Sequence, residues 1–388
     1  MRDPAAELRA LERDGLRRRL RPLDSAQGPR VALADHGDCL NFSSNDYLGL
    51  ASDEGLKESY QKNIGRFGVG SGASRLVCGT MAAHLRLEEK IAALKRTEAA
   101  ITYSSGYAAA TGSLPALCGK GDIILLDKLC HASLIDGARL SGATLRIFPH
   151  NDLDRLESHL RWSARRIDHD GRILVVTESV FSMDGDLAPL AGIVECKERH
   201  GALLLVDEAH ALGVLGPRGR GLAAATGLEG RVDFQMGTFS KAVGLSGGYL
   251  CGDRAMIDLL INRARSFIYS TAPSPALAAT VDEALDLVSG ERGDHLRATL
   301  LAHRRAFSPD ATSAIFPVIL GENETALAAS TALLEKGFLV PAIRYPTVPK
   351  GSARLRITLS AAHRDTDITS LKNALAELRE NRYHSITP

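Results

Sequence analysis

A chain of 388 residues is too long for one ordinary hydrophobic core, so we expect two domains or one large α/β unit. Its 47 Lys and Arg residues nearly balance 46 Asp and Glu residues, and a formal net charge of +1 provides no field that would attract nucleic acid or anionic lipid. No apolar run approaches the roughly 20 residues of a membrane span. Six scattered cysteines without a CxxC pair indicate reduced thiols, so we expect a cytoplasmic protein with no nucleic acid, membrane or metal partner.

The N-terminal segment has leucines at positions 8, 11, 16 and 20 with charged residues between them, which predicts an amphipathic helix over residues 4–20. Its acidic residues and its lack of an apolar stretch argue against a transit peptide or a signal peptide. We predict a short strand at 39–42 and a helix at 84–94. Between them, residues 65–79 are dense in glycine but lack the spacing and the preceding strand of a dinucleotide fingerprint, so we expect a flexible loop near a ligand.

Short apolar runs alternate with helix-like stretches from residue 99 onward. The runs are residues 99–103, 123–126, 145–148, 173–177, 203–206 and 232–236. Nearly continuous Val, Ile and Leu runs of this kind indicate a mostly parallel sheet that is buried on both faces, and therefore an α/β fold. Ligands of such sheets bind beyond the carboxyl ends of the strands.

Polar residues follow several of these runs. Residues 104–107 open a helix with small side chains. Such a helix start offers free N–H groups and a positive dipole end to an anion, although a plain capped helix is the alternative. His131, Asp207 and His210 follow two further runs, and an acceptor-rich turn at 178–186 follows another. We therefore expect these groups at one edge of the sheet.

Lys241 stands in a loop of small and hydroxylated residues after the last run, with Gly244, Gly247 and Gly248 behind it. Most lysines keep their ammonium group in water. A glycine-wrapped lysine that follows a buried strand suits an amine that loses its proton and forms a Schiff base. On this stretch alone, a surface lysine in a polar turn remains the alternative.

Together these groups predict a pyridoxal phosphate site. Lys241 would form the Schiff base, and Asp207 would pair with the pyridine nitrogen and keep it protonated. The helix start at 104–107 would hold the phosphate. An imidazole from His131 or His210 would lie over the ring or act as acid and base, because its pKa is near neutrality.

The chain resembles the α-oxoamine synthases, which are pyridoxal phosphate enzymes of fold type I, the aspartate aminotransferase-like group. The resemblance covers nearly the whole chain and rests on SNDYLGL at 44–50, GSGASRLVCGT at 70–80, SSGY at 104–107, HAS at 131–133, TESVFSMDGD at 177–186, LLLVDEAH at 203–210, GTFSKAVG at 237–244, FIYST at 267–271 and YPTVPKGSARLRIT at 345–358.

The resemblance implies a domain organisation and an assembly. An N-terminal helix and short strand would occupy residues 1–45. A large cofactor-binding domain with a mostly parallel central sheet would occupy 46–275, and a smaller C-terminal α+β domain would occupy 276–388. Such enzymes are homodimers with a shared active site.

The resemblance also implies a role for each candidate site residue. Lys241 would hold the cofactor and move the α-proton, Asp207 would pair with the ring nitrogen, and His210 would pair with the 3-hydroxyl group. His131 would stack on the ring and polarise the acyl carbonyl. The other implied cofactor contacts are Gly106, Tyr107, Ser182 and Thr238, with Ser270 and Thr271 reaching the phosphate of the neighbouring subunit.

Three further residues are implied to bind substrate. Arg356 would hold the amino-acid carboxylate, since a guanidinium fork suits that partner, and Thr347 would line the site. Arg17 would bind the acyl donor. The neighbouring arginines up to Arg21 leave the register of that contact open, and a solvated helix face is the alternative.

Within the family, the chain is most similar to members that condense L-alanine with a pimeloyl thioester, on coenzyme A or on a carrier protein, in biotin synthesis. Members that use glycine, 5-aminolevulinate synthase and 2-amino-3-oxobutyrate CoA ligase, remain alternatives, because YPTVP and DEAHAL depart from the expected pattern. Serine palmitoyltransferase-like chains fit the PTVP and FSMDGD stretches less well. A dehydrogenase would not explain Lys241, and a non-catalytic regulator would carry a DNA-binding segment.

Overall fold

The computed structural model describes residues 3–381. The helices of this part of the chain are α1 (Pro4–Arg13), α2 (Glu54–Phe67), α3 (Ala82–Lys95), α4 (Gly106–Leu117), α5 (Ala132–Leu140), α6 (Leu153–Ala164), α7 (Leu190–Arg199), α8 (Leu222–Ala225), α9 (Arg254–Arg263), α10 (Arg265–Ile268), α11 (Pro275–Ser289), α12 (Glu291–Phe307), α13 (Asn323–Glu335) and α14 (Asp365–Asn381). The strands are β1 (Arg30–Leu33), β2 (Gly37–Asn41), β3 (Ala99–Tyr103), β4 (Ile123–Asp127), β5 (Thr144–Phe148), β6 (Ile173–Glu178), β7 (Leu203–Asp207), β8 (Phe234–Thr238), β9 (Gly248–Gly252), β10 (Ile315–Gly321), β11 (Phe338–Leu339), β12 (Ala342–Ile343) and β13 (Ala353–Thr358).

The chain forms two compact units. The large unit contains Asp53–Ser182 and Asp186–Arg297, and the small unit contains the described residues up to Ser52, Met183–Gly185 and the described residues from Ala298 onward. The domain boundaries expected from the sequence, after residues 45 and 275, stay a prediction. In the structure, the N-terminal segment groups with the C-terminal residues.

A seven-stranded sheet in the order β3-β9-β8-β7-β6-β4-β5 forms the centre of the large unit. All neighbours from β5 to β8 are parallel, and β9 is antiparallel to both of its neighbours. Every residue of β3, β4, β6, β8 and β9 is buried, as expected for strands covered on both faces. The mostly parallel sheet predicted from the apolar runs is confirmed.

The core of the large unit lies where helices cover this sheet. Apolar side chains from α4, α5, α9 and α10 pack with those of β3, β4, β6 and β8 in one buried cluster. Helix α4 itself contains small buried residues, which let it approach the strands closely. Tight packing of this kind holds the carboxyl ends of the strands in fixed positions.

The small unit contains two three-stranded sheets, in the orders β1-β2-β11 and β10-β13-β12. Strand β13 is central and fully buried. Its partner β10 is an edge strand, so Pro317 can lie in it without leaving a ladder bond unmade.

Two sequence predictions differ from the structure. The N-terminal helix predicted over 4–20 is wrong at its end, since α1 ends at Arg13 and Gly15 has a φ of +61° that a helix cannot contain. The glycine-dense segment at 65–79, predicted as a flexible loop, contains a turn of π-helix, Arg75–Gly79. Arg75 anchors that turn with two hydrogen bonds to the Glu88 carboxylate, at 2.8 and 2.9 Å.

A buried ion pair fixes the segment that follows β7. The Lys95 ammonium group is fully buried, lies 3.9 Å from Glu208 Oε1 and donates a hydrogen bond to the carbonyl oxygen of Arg220. The Glu208 carboxylate also accepts the N–H groups of Leu222 and Ala223 at 2.9 and 3.0 Å. The pair therefore ties the end of α3 to the start of α8.

We expect Lys95→Met to lower the free energy of unfolding by about 3–5 kcal/mol, because Glu208 would keep a buried charge without its cation. Urea denaturation followed by circular dichroism measures this loss. Lys57→Met is the matched control, since it removes the exposed 2.8 Å pair with Glu54 and should cost less than about 1 kcal/mol. Equal losses in the two variants would contradict a special role for the buried pair.

Candidate active site

A cavity of ≈ 220 Å³ lies at the carboxyl-end edge of the central sheet. Five strands that run in the same direction, β3, β4, β6, β7 and β8, lead into it. The residues that line it are Ser105, Gly106, Tyr107, His131, Ser133, Glu178, Asp207, Ala209, His210, Met236, Gly237, Thr238, Ser240 and Lys241.

Lys241 is held at the cavity by a tightly bonded loop after β8. The hydroxyl group of Thr238 donates to the carbonyl oxygen of Gly247 at 2.6 Å, and the N–H group of Phe239 donates to the same oxygen at 3.0 Å. The Phe239 ring stacks on Tyr249, with centroids 5.2 Å apart. The loop is thus closed on β9, and Lys241 projects from its turn.

Three titratable groups surround the Lys241 amine. Its Nζ lies 2.8 Å from His210 Nε2. Asp207 ends β7, is buried, and accepts the N–H group of Ala209 at 2.8 Å. Burial raises the pKa of Asp207, although the nearby Lys241 charge opposes that rise. Burial and the Asp207 charge raise the pKa of Glu178 to about 8, so Glu178 is largely protonated at pH 7.

His131 forms part of the cavity wall as the N-cap residue of α5. Its Nδ1 accepts the N–H group of Ser133 at 3.2 Å and lies 2.8 Å from the Ser133 hydroxyl oxygen. An Nδ1 that accepts a hydrogen bond leaves the ring proton on Nε2. Burial lowers the pKa of His131, which favours this neutral form. The main-chain N–H group of His131 donates to Glu178 Oε1, which links the ends of β4 and β6.

The start of α4 offers main-chain N–H groups to an anion at the cavity. Ser105 is the N-cap residue, and its hydroxyl oxygen accepts the N–H group of Ala108 at 3.1 Å. Gly106 and Tyr107 begin the helix, where N–H groups have no intrahelical partner and the dipole is positive. The Tyr107 hydroxyl group donates to Asp136 at 2.7 Å.

Seven of the cofactor residues expected from the sequence line this one cavity: Gly106, Tyr107, His131, Asp207, His210, Thr238 and Lys241. Three others, Ser182, Ser270 and Thr271, are not among its lining residues. Thr271 pairs instead with Ser74, next to the glycine-dense segment.

Glu178 is a titratable lining residue that the sequence placed at this edge but to which it gave no role. The sequence places it in an acceptor-rich turn, but it is the last residue of β6 and the direct register partner of Asp207. The available signal was its position: Glu178 follows a largely apolar run directly, as Asp207 does.

The expected substrate residues belong to the small unit. Arg356 on β13 is buried and donates to the Thr358 hydroxyl oxygen and to Asn45 Oδ1, both at 3.0 Å. The Thr347 hydroxyl oxygen accepts a hydrogen bond from Arg18 at 3.1 Å. Arg17 pairs with Glu12 at 3.0 Å.

A cluster of arginines surrounds the contact of Arg18 with Thr347. Arg344 donates to the carbonyl oxygen of Gly15. Burial, together with the charges of Arg18 and Arg21, lowers the pKa of Arg344. The proximity of three guanidinium groups indicates a surface that suits an anion.

The donor set of the cavity fits pyridoxal phosphate. An amine, a buried carboxylate, two imidazoles and a helix N-terminus converge on one space, and each has a counterpart on the cofactor. The carboxyl group of Asp207 has one N–H donor in Ala209 and would gain a cation from a protonated ring nitrogen. Among residues 3–381, no group of three or more His, Cys, Asp or Glu side chains is placed to hold a metal ion.

Comparison with curated proteins gives matches over nearly the whole chain. The 8-amino-7-oxononanoate synthase of Geobacter sulfurreducens is 45% identical, over 97% of this chain and 98% of its own. The synthase of the same name from Anaeromyxobacter dehalogenans is 47% identical, over 96% of this chain and 94% of its own. No helix in the described part of the chain is long and apolar enough to cross a membrane.

Comparison with solved structures confirms the fold type I class. A serine palmitoyltransferase from S. paucimobilis, with a bound PLP–myriocin aldimine, has a TM-score of 0.90 and 30% identity, over 97% of this chain and 96% of its own. An 8-amino-7-oxononanoate synthase from Francisella tularensis has a TM-score of 0.73 and 28% identity, over 88% of this chain and 98% of its own. The family model for aminotransferase class I and II matches residues 37–375. The chain therefore belongs to the aminotransferase class I and II family.

Proposed function

We propose that this chain is a pyridoxal phosphate-dependent acyltransferase, an 8-amino-7-oxononanoate synthase of biotin synthesis. It condenses L-alanine with a pimeloyl thioester, on coenzyme A or a carrier protein, and releases CO2 and the free thiol. The observation that carries the proposal is the convergence of Lys241, Asp207, His131 and the start of α4 on one cavity. The relatives with that name, at 45 and 47% identity, support this choice of substrates.

Pyridoxal phosphate supplies an electron sink for the carbanion that forms at the amino-acid α-carbon. Asp207 holds a proton on the ring nitrogen, because a buried carboxylate without a bulk-water shell is a strong partner for a cation. His210 pairs with the 3-hydroxyl group. The N–H groups at Gly106 and Tyr107 hold the phosphate, and Thr238 and Ser182 complete the cofactor contacts.

Lys241 moves the α-proton of the amino acid. A lysine base must be unprotonated, and His210 Nε2, 2.8 Å from Nζ, is a hydrogen-bond partner of the amine. His131, with its proton on Nε2, donates a hydrogen bond to the thioester carbonyl and so stabilises the negative charge that develops there.

Arg356 binds the carboxylate of the amino acid, since its guanidinium group can donate two parallel hydrogen bonds. Thr347 lines the substrate site. The 3.1 Å hydrogen bond from Arg18 to Thr347 supports a role for Arg18 at the same site. We assign Arg18, Arg21 and Arg344 to the anionic groups of the acyl donor, and Arg17, which pairs with Glu12, stays the sequence-based candidate for the same role.

The active enzyme is a homodimer in the cytoplasm. Large apolar side chains, each more than half exposed, lie on the glycine-dense segment and after α10: Val69, Leu76, Val77 and Tyr269. Exposed apolar groups of this kind support burial against a second subunit. Ser270 and Thr271 follow Tyr269 directly and reach the phosphate of that subunit. Six free cysteines, five of them buried, support a reducing compartment.

We expect the purified, cofactor-loaded protein to release CO2 from L-alanine only when pimeloyl-CoA or a pimeloyl-carrier protein is present. L-Alanine alone should shift the visible absorbance of the bound cofactor. The measurement is carbon dioxide release together with mass spectrometry of the product. Turnover of glycine with acetyl-CoA or succinyl-CoA, without turnover of alanine, would replace this function by one of the glycine-using alternatives.

We expect Lys241→Ala to lower kcat by at least about 10³-fold, because general base catalysis by a positioned side chain contributes roughly 10²–10⁴-fold and the covalent hold on the cofactor is lost as well. The variant should still bind the cofactor non-covalently, as equilibrium dialysis would measure. Lys120→Ala, at an exposed lysine of the same unit, is the control. Normal turnover in Lys241→Ala would refute the assignment.

We expect Arg18→Ala to raise KM for pimeloyl-CoA by about tenfold with little change in kcat, because lost binding that is equal in the ground state and the transition state appears in KM alone. Steady-state kinetics on Arg18→Ala, Arg17→Ala and the exposed control Arg13→Ala measures this. A larger effect in Arg17→Ala would return the role to Arg17, and no effect in either would move the acyl-donor surface elsewhere.

A further inference from the structure

His150 lies between two carboxylates just after β5, outside the cavity. Its Nδ1 is 3.0 Å from Asp127 Oδ1, and its Nε2 is 2.7 Å from Asp186 Oδ2. A carboxylate accepts hydrogen bonds, so both ring nitrogens must carry protons and the imidazole is a cation. Burial opposes this charge, but the hydrogen bonds and charges of Asp127 and Asp186 outweigh it and raise the pKa of His150 to about 10.

The first carboxylate controls the loop that carries His131. Asp127 is buried at the end of β4, and its Oδ1 also accepts the N–H group of Leu129 at 2.8 Å. The main-chain carbonyl oxygen of Asp127 accepts the N–H group of Cys130 at 3.1 Å. Its position therefore sets the path of the three residues that precede His131.

The second carboxylate belongs to the segment that follows β6. The N–H group of Phe181 donates to the main-chain oxygen of Asp186 at 3.0 Å. The Phe181 ring lies edge-on to the His150 imidazole, with centroids 4.3 Å apart. Asp186 Oδ2 also accepts the side-chain N–H group of Asn151 at 3.0 Å. These contacts of Phe181 also fix the position of its neighbour, Ser182.

The two loops are joined a second time at the cavity itself, where the main-chain N–H group of His131 donates to Glu178. The His150 cation provides the other junction, farther from the reacting groups. Without that cation, Asp127 and Asp186 would face each other as two partly buried negative charges and repel. Asp186 Oδ1 is already buried without a hydrogen-bond partner among the described residues, so Asp186 depends on the partners of its other oxygen.

We propose that His150 is a positioning residue for the reaction under Proposed function, on which this inference rests: as a cation it binds Asp127 and Asp186 together, and so holds His131 at the cavity and keeps the segment after β6 in place. The charged and titratable groups that face His150 are these two carboxylates, one from β4 and one from the segment after β6. Asn151 and Phe181 complete its surroundings.

The experiment compares His150→Gln and His150→Lys with the control His200→Gln, in cofactor-loaded protein. Lysine keeps the charge and several donors, whereas glutamine keeps neither the charge nor the reach to both carboxylates. His200→Gln breaks a similar contact in the same unit, the 2.8 Å bond from His200 Nε2 to Glu157. The readouts are kcat and KM, and hydrogen exchange in peptides that cover 127–133 and 178–188.

For His150→Gln we expect kcat to fall by about 10–100-fold with KM for L-alanine changed less than kcat, because small misplacement of a catalytic group costs that much. Exchange should rise in the two peptides and not in the rest of the unit, and His150→Lys should recover part of both losses. Wild-type kinetics, exchange that rises throughout the unit, or His150→Lys no better than His150→Gln would each overturn the proposal.

Asp186→Asn tests the contact between His150 and Asp186 by changing the carboxylate. It also tests the proposal if His150→Gln does not fold. Loss of one carboxylate should lower the pKa of His150 toward its ordinary value. Protection of the two peptides should then be present at low pH and lost as pH rises through the neutral range, whereas in the wild-type protein it should decline gradually above the ordinary histidine pKa and be lost completely only near pH 10. An unchanged pH profile overturns the proposal. Hydrogen exchange does not depend on the substrates, so failure of the proposed function would appear separately, as wild-type protein without turnover.

Discussion

Two buried carboxyl groups that lie side by side constrain the catalytic edge of this protein. Glu178 and Asp207 end neighbouring parallel strands and are register partners. Two like charges this close in a dry interior cannot both be ionised without nearby cations. Burial and the neighbouring Asp207 charge raise the pKa of Glu178 to about 8, so Glu178 is largely protonated at neutral pH, which favours a negative charge on Asp207. Lys241 is the cation that offsets that charge in the protein itself.

This electrostatic arrangement links the state of Lys241 to the cofactor. In the proposed reaction Lys241 would give up its proton to serve as a base, and Asp207 would then lose the cation beside it. A protonated ring nitrogen of the cofactor would restore that cation, and a buried aspartate at the end of β7 suits this partner. His131, kept neutral because burial lowers its pKa, adds a hydrogen-bond donor without adding a charge. The site thus combines a negative charge at Asp207 with neutral hydrogen-bond donors.

Close backbone approach is the second constraint at this edge. A Cβ atom on Gly248 would lie 2.4 Å from the carbonyl oxygen of Ser105, and one on Gly237 would lie 2.5 Å from the Tyr249 hydroxyl oxygen. Side chains at these positions would separate β9 from the start of α4, or β8 from β9. The glycines around Lys241 therefore serve the packing of the start of α4 as much as the turn of the loop.

The sequence predicts most of the large unit, because short apolar runs that alternate with helix-like stretches are typical of parallel strands buried on both faces. The same reasoning finds Asp207, His210 and Lys241, since each follows such a run. It gives no role to Glu178, which the sequence assigns to a turn although it ends β6. It also misses His150, because a histidine becomes a fixed cation only when two carboxylates distant in sequence meet it. The end of α1 is likewise unreadable from leucine spacing alone, since Gly15 interrupts the helix.

The geometry of the large unit accounts for the type of reaction but not for the choice of substrates. A serine palmitoyltransferase fits this fold with a TM-score of 0.90, whereas an 8-amino-7-oxononanoate synthase fits it with 0.73. Backbone similarity therefore does not identify which acyl donor and which amino acid the enzyme uses. Under the proposed function, Arg18, Thr347 and Arg356 of the small unit would be the polar groups that bind the carboxylate and the acyl donor. With these proposed roles, α-carbon chemistry and substrate selection would be carried by separate parts of the chain, so that one could vary while the other is retained.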